Sequence, residues 1–151
     1  MLRPRIIPSL LIRDNGLVKT IQFKDGKYVG DPINTVRIFN EKEVDELVVL
    51  DIDASANGKR PNYEVIANLA AECRMPLCYG GGIKTAEHAS RIIGLGVEKN
   101  SLSSAAVEDP NVISEIAQQI GSQSVVVVID IRTDGKNGEL TQWIYNGTRQ
   151  V

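Results

Sequence analysis

The stretch VVVVIDIRTDG, Val125 to Gly135, runs five apolar residues into one aspartate, Asp130, and then into a turn. The apolar run fits a strand buried on both faces, the kind found in parallel sheets covered by helices. A carboxylate at the end of such a strand adds nothing to its burial. What Asp130 does there depends on whether this strand is alone or one of several built to the same plan.

It is one of several. RIIPSLL (5–11), ELVVLDI (46–52), PLCY (76–79), VEKNSL (97–102) and SVVVVID (124–130) all read as strands. Helical patterns lie between them: Ile66, Leu69, Ala70 and Cys73 share one face, and Val112, Ile113, Ile116, Ala117 and Ile120 share another. Asp31-Pro32 and Asp109-Pro110 each set a capping acid before a proline at the first helical position. Thr85 caps a helix with Glu87 in its first turn, and Gly96 and Gly121 sit where helices should stop. Such alternation predicts an α/β fold with a parallel sheet. An open doubly wound sheet and part of a (β/α)8 TIM barrel both satisfy it. The first usually carries a glycine fingerprint after its first strand, and SLLIRDNG is not one. A complete barrel takes about 250 residues, whereas this chain has 151, ending soon after the fifth strand.

Composition narrows the function classes. A net charge of −2 argues against nucleic acid or an anionic membrane as the main partner. The early run IIPSLLI is too short to span a bilayer and lacks a signal-peptide cleavage pattern. Cys73 and Cys78 have neither metal-ligand nor redox-motif spacing, which reads as reduced thiols in a cytoplasmic protein. His88, the single histidine, lies in the polar stretch TAEHAS and reads as a solvated helix residue. No metal or cofactor is implied.

Parallel α/β folds hold their sites at the C-terminal ends of strands. There this sequence puts Asp51, the run YGGGI, Ser101 to Ser104, and Asp130. Gly80-Gly81-Gly82 ends a strand before a helix, so its bare backbone either approaches an anion or simply makes a tight turn. Ser103 and Ser104, after the neighbouring strand, add hydroxyls and amides that favour a phosphate site. The opposite strand ends carry Arg5, Glu46 and Lys99. Strand parity aligns Arg5 with Ile7, Ser9 and Leu11, Glu46 with Val48 and Leu50, and Lys99 with Ser101 and Ser103. These charges either close the bottom of a barrel or are solvated strand ends. Parity turns Asp51 away from the Glu46 face.

The segments RIIPSLLIRDNGLVKT, GDP, VDELVVLDIDAS, YGGGIKTAEHAS, AAVEDPNVI and GSQSVVVVID together resemble the cyclase subunit of imidazole glycerol phosphate synthase, from histidine biosynthesis. The resemblance implies a (β/α)8 barrel with a glutaminase subunit docked on its N-terminal face. It implies a lyase in which ammonia crosses the barrel and attacks a ribulosyl-aminoimidazole carboxamide ribonucleotide. The products are imidazole glycerol phosphate and an aminoimidazole carboxamide ribotide. By resemblance Arg5, Glu46 and Lys99 form the ammonia gate, and Gly82, Ser103 and Ser104 hold a substrate phosphate beside Gly81. Lys19 matches a lysine on a mobile loop that closes over the substrate. Asp130 matches the general acid/base, against the alternative that it caps the following turn.

Three departures qualify the match. Leu11 stands where the family has a second catalytic aspartate, and Asp14 lies three residues further along. Ser103 and Ser104 stand where Asn and Thr are usual. Residues 1–151 correspond to strands one to five only, so the expectation is the N-terminal part of a barrel, a fragment of a longer chain or a half-barrel needing a partner. Such a half should leave two sheet edges and its apolar helix faces exposed. Two other roles compete with the cyclase: a paralogue delivering ammonia for amidino-sugar synthesis in surface polysaccharide, and a non-catalytic subunit or inert truncation.

Overall fold

The computed structural model describes residues 3–133 and 138–151. The chain opens with β1 (Ser9–Arg13), β2 (Gly16–Ile21), β3 (Lys24–Gly30) and α1 (Pro32–Glu41). Then come β4 (Leu47–Asp51), α2 (Tyr63–Glu72), β5 (Leu77–Gly80), α3 (Ala86–Gly94) and β6 (Lys99–Leu102). Helices α4 (Ser104–Glu108) and α5 (Asn111–Ile120) lead to β7 (Val125–Val127). Finally β8 (Asp130–Thr133), β9 (Leu140–Ile144) and β10 (Arg149–Gln150) form a separate antiparallel sheet.

The main sheet has the order β3-β2-β1-β4-β5-β6-β7, and β1, β4, β5, β6 and β7 run parallel. Five parallel strands alternating with helices make a partial (β/α)8 barrel. Strand parity divides the sheet. Leu47 and Val49 of β4 and Leu77 and Tyr79 of β5 pack with the helices into one core. Ile66 and Leu69 of α2 and Ile116 of α5 are fully buried there, each side chain contributing roughly 1.5–3 kcal/mol. The expected exposure of apolar helix faces is therefore corrected: the sheet itself covers them. On the other face, register aligns Ser9, Val48, Cys78 and Lys99 in one row and Leu11, Leu50, Gly80 and Ser101 in the next.

Local signals act largely as read. Asp31 caps α1, its Oδ1 accepting from Asn34 N at 2.8 Å, with Pro32 in the first turn. Thr85 accepts from His88 N. Gly121 ends α5 at φ +90°. The cap before α5 sits one residue later than expected: Pro110 is the N-cap, while Asp109 accepts from Asn111 N.

Two strand expectations are corrected. The first strand begins at Ser9, not Arg5, because Pro8 has no amide to donate; the carbonyls of Ile6 and Pro8 accept from Asp45 N and Val48 N, and Ile6 N donates to the Asp45 carboxylate rather than to a strand partner. The fifth ends at Val127, and Asp130 opens β8, paired to Trp143 of β9. The turn read at Asp134–Gly135 lies outside the described residues. The β2–β3 hairpin was not anticipated. It is entered through Asp14-Asn15, both at positive φ, as a two-residue hairpin turn requires.

Candidate functional site

The two ends of the parallel strands carry different chemistry. At the N-terminal end Glu46, 4% exposed, lies just before β4. Its Oε2 accepts from Arg5 Nη2 at 2.8 Å, and its two oxygens accept from Lys99 Nζ at 2.8 and 2.9 Å. Arg5, Glu46 and Lys99 thus meet as one cluster, although Arg5 comes from the segment before β1 and remains half-exposed. A buried carboxylate needs such partners, and two cations satisfy both of its oxygens.

At the C-terminal end is a cavity of about 310 Å³. Leu11, Leu50, Gly80 and Ser101 form its floor, and Gly81, Gly82, Ser103, Ser104 and Asp130 line its wall. Asp130 therefore faces a cavity. Among the described residues its carboxyl takes no protein hydrogen bond. Burial raises its pKa, opposed by the guanidinium of Arg132 two residues on. Leu11 occupies the floor with no ionisable group. Asp14 does not supply one: its side chain is 81% exposed, 3.7 Å from Lys59, and lines a separate polar depression. Asp51 borders both spaces at the end of β4. Its Oδ1 accepts from Asp53 N and Ala54 N, which engages it in the turn that follows, and burial raises its pKa.

The glycines answer to packing. A Cβ on Gly81 (φ +124°) would lie 2.5 Å from Asp51 O, and one on Gly82 (φ +72°) would lie 2.7 Å from Lys59 O. Gly82 N donates to Ser55 Oγ at 3.2 Å. Lys19 is exposed on β2, paired with Lys27, and does not line the cavity, whereas Thr20, Gln22 and Phe23 of the same hairpin do.

The small sheet covers the mouth. Its turn Tyr145-Asn146-Gly147 holds three successive residues at positive φ. Tyr145 N donates to Ser104 Oγ at 3.0 Å, and Asn146 Nδ2 donates to Asp53 Oδ1, the carboxylate also held by Arg13. Arg132 donates to Gly147 O at 2.7 Å and stacks on Trp143, its guanidinium 4.0 Å from that ring and 5.7 Å from the ring of Phe23. Ser55, Phe23 and Asn146 are cavity residues that the sequence reading missed. Only the turn tripeptide Tyr-Asn-Gly carried a local signal.

Among the described residues no group of three or more His, Cys, Asp or Glu side chains is placed to hold a metal, and no helix is long and apolar enough to cross a membrane.

Comparison with known sequences adds a second line. The sequence model of the histidine biosynthesis protein family matches residues 5–150. Across all 151 residues the chain is 61% identical to a Leptospira borgpetersenii protein and 60% identical to one from Pseudomonas aeruginosa. These are provisionally named imidazole glycerol phosphate synthase subunit HisF and hisF2. It is 38% identical to imidazole glycerol phosphate synthase subunit HisF of an Exiguobacterium species. The chain spans 59%, 60% and 58% of these three relatives, respectively.

Proposed function

The chain belongs to the histidine biosynthesis protein family, and from that premise we propose that it is an ammonia-using lyase subunit of the imidazole glycerol phosphate synthase cyclase type. In this reading a glutaminase docks at the Arg5–Glu46–Lys99 end and releases ammonia there. Ammonia crosses to the cavity and attacks the ribulosyl-aminoimidazole carboxamide ribonucleotide, which is cleaved and cyclised. Gly81, Gly82, Ser103 and Ser104 receive one phosphate, and Lys19 swings in from its hairpin. A cytoplasmic setting, which keeps Cys73 and Cys78 reduced, goes with this role.

One observation carries the reading: one end of the parallel strands holds a paired ion cluster and the other a cavity lined by Asp130, whose carboxyl takes no hydrogen bond among the described residues. Between them the wall is uncharged. Burial, with Glu46 behind it, pushes the Cys78 thiol up to about 11, so it stays neutral at pH 7. Such a wall passes ammonia and resists ammonium. Addition to a carbonyl, loss of water and C–N cleavage all move protons, and a positioned carboxyl contributes about 10²–10⁴-fold. The upward shift of Asp130 keeps its acid form populated closer to neutrality.

Leu11 favours a second reading, in which the ammonia route is kept and the acceptor is a sugar of surface-polysaccharide synthesis. A floor without a second carboxylate tolerates a reaction with fewer proton transfers. Turnover of the ribonucleotide with ammonia separates the two. The cyclase reading expects measurable product and a gain in Leu11→Asp. Negligible turnover in both proteins would sink it and leave the sugar acceptor.

A further inference from the structure

The hydroxyls of Ser55 and Ser104 border the same cavity, and each already accepts a backbone amide. Ser55 Oγ takes Gly82 N at 3.2 Å, and Ser104 Oγ takes Tyr145 N at 3.0 Å. A serine hydroxyl has one proton and two acceptor sites. When an amide fills an acceptor site, what remains to offer is chiefly the proton, and the incoming N–H polarises it. Among the described residues neither hydroxyl donates to a protein acceptor.

Position is fixed at both. Ser55 sits in the loop after β4, locked against the Gly81–Gly82 turn, whose backbone passes too close to that loop for any side chain. Ser104, at the start of α4, is held by a turn in which Tyr145 and Asn146 keep positive φ, a conformation costing of order 1–3 kcal/mol per non-glycine residue unless its surroundings impose it. The surroundings do: Asn146 is tied to Asp53, Gly147 to Arg132, and the Tyr145 hydroxyl donates to Glu108 at 2.6 Å. Among the described residues no lysine or arginine lines the cavity. Recognition of an anionic oxygen there falls to neutral donors. The Gly82 amide, the obvious candidate from sequence, is already engaged.

We propose that Ser55 is a phosphate-binding residue, its hydroxyl and that of Ser104 forming a pair of donors to the phosphoryl oxygens of the ligand. This deepens the phosphate site of the proposed function and rests on that reading. It assigns the donor role to a hydroxyl of the β4 loop, and it makes Gly82 the support of Ser55 through its amide.

The test is titration of inorganic phosphate into the chain against chloride at matched ionic strength, followed by phosphorus-31 line broadening and by the thermal midpoint. Hydrogen bonds to charged groups set the scale, so Ser55→Ala should weaken phosphate binding by about tenfold or more. Ser55→Thr, which keeps the hydroxyl, should retain most of it. Ser55→Cys keeps the shape with a weak donor and should behave like Ser55→Ala, and it decides the matter if the alanine variant misfolds. Wild-type binding in a folded Ser55→Ala or Ser55→Cys, with loss in Ser104→Ala, would overturn the role of Ser55 and leave the phosphate site standing. No phosphate binding by the wild-type chain would overturn both.

Discussion

The two ends of the parallel strands solve opposite problems with the same backbone. At the N-terminal end the buried carboxylate is answered: Glu46 is buried and two cations meet its two oxygens. At the C-terminal end, polar groups are buried or half-buried with capacity to spare. Among the described residues Asp130 takes no hydrogen bond, and the hydroxyls of Ser55 and Ser104 donate to no protein acceptor. In the proposed function the satisfied cluster selects what passes and the unsatisfied end receives the ligand. That contrast, more than any single residue, gives the molecule a direction from one strand end to the other.

Substitutions can break the contrast in graded steps. The largest expected loss is at the cavity wall, where Gly81→Ala meets both a strained φ of +124° and a backbone oxygen 2.5 Å away. Strain and overpacking, each about 1–3 kcal/mol, together should cost about 3 kcal/mol or more in denaturant unfolding. Gly58, also at positive φ but with nothing within 4 Å, is the control; its alanine variant should lose only the strain, about 1 kcal/mol. A loss at Gly81 no larger than at Gly58 would show that the close approach to β4 is not real.

Glu46→Ala comes next. Removing one partner of a buried pair costs about 3–5 kcal/mol, and the partial exposure of Arg5 and Lys99 lowers the expectation to about 2–3 kcal/mol. A change below about 0.5 kcal/mol, the range of ordinary surface positions, would make the cluster a set of solvated strand ends.

The smallest effect is a pH dependence at the other end. Because burial raises the pKa of Asp130 above its usual 3.8, the folded state binds more protons than the unfolded one between those two values. Stability from this group is complete below the unfolded value and declines as pH rises through the folded one. Asp130→Asn should therefore be slightly more stable than the parent at neutral pH, and the gap should close below about pH 4. A variant less stable at pH 7 would indicate that the carboxylate is bonded within the fold.

How much of this was readable in the sequence follows from the range of the forces involved. The five strands and the caps at Asp31 and Thr85 are local matters of period and propensity; the first and last strands are shorter, and the caps and the three middle strands emerge close to where expected. So does the inward set Glu46, Val48 and Leu50, because parity is rigid once a strand is recognised. What stayed hidden is long-range. That Ser55 reaches Gly82, that Asn146 ties to Asp53 across 93 residues, and that the small sheet folds over the mouth depend on how loops meet in space. The β2–β3 hairpin is an intermediate case. Asp14-Asn15 was a usable turn signal, but Gln22-Phe23 occupies the second turn at positive φ with residues that rarely adopt it. Nothing local announced that turn.

The claim that the open end is a reaction site with Asp130 as its acid is tested most directly by ammonia-dependent turnover of the ribonucleotide in Asp130→Asn, with phosphate affinity measured on the same protein. The account predicts a fall of about 10²–10⁴-fold in turnover with phosphate binding unchanged. Turnover equal to wild type would contradict it.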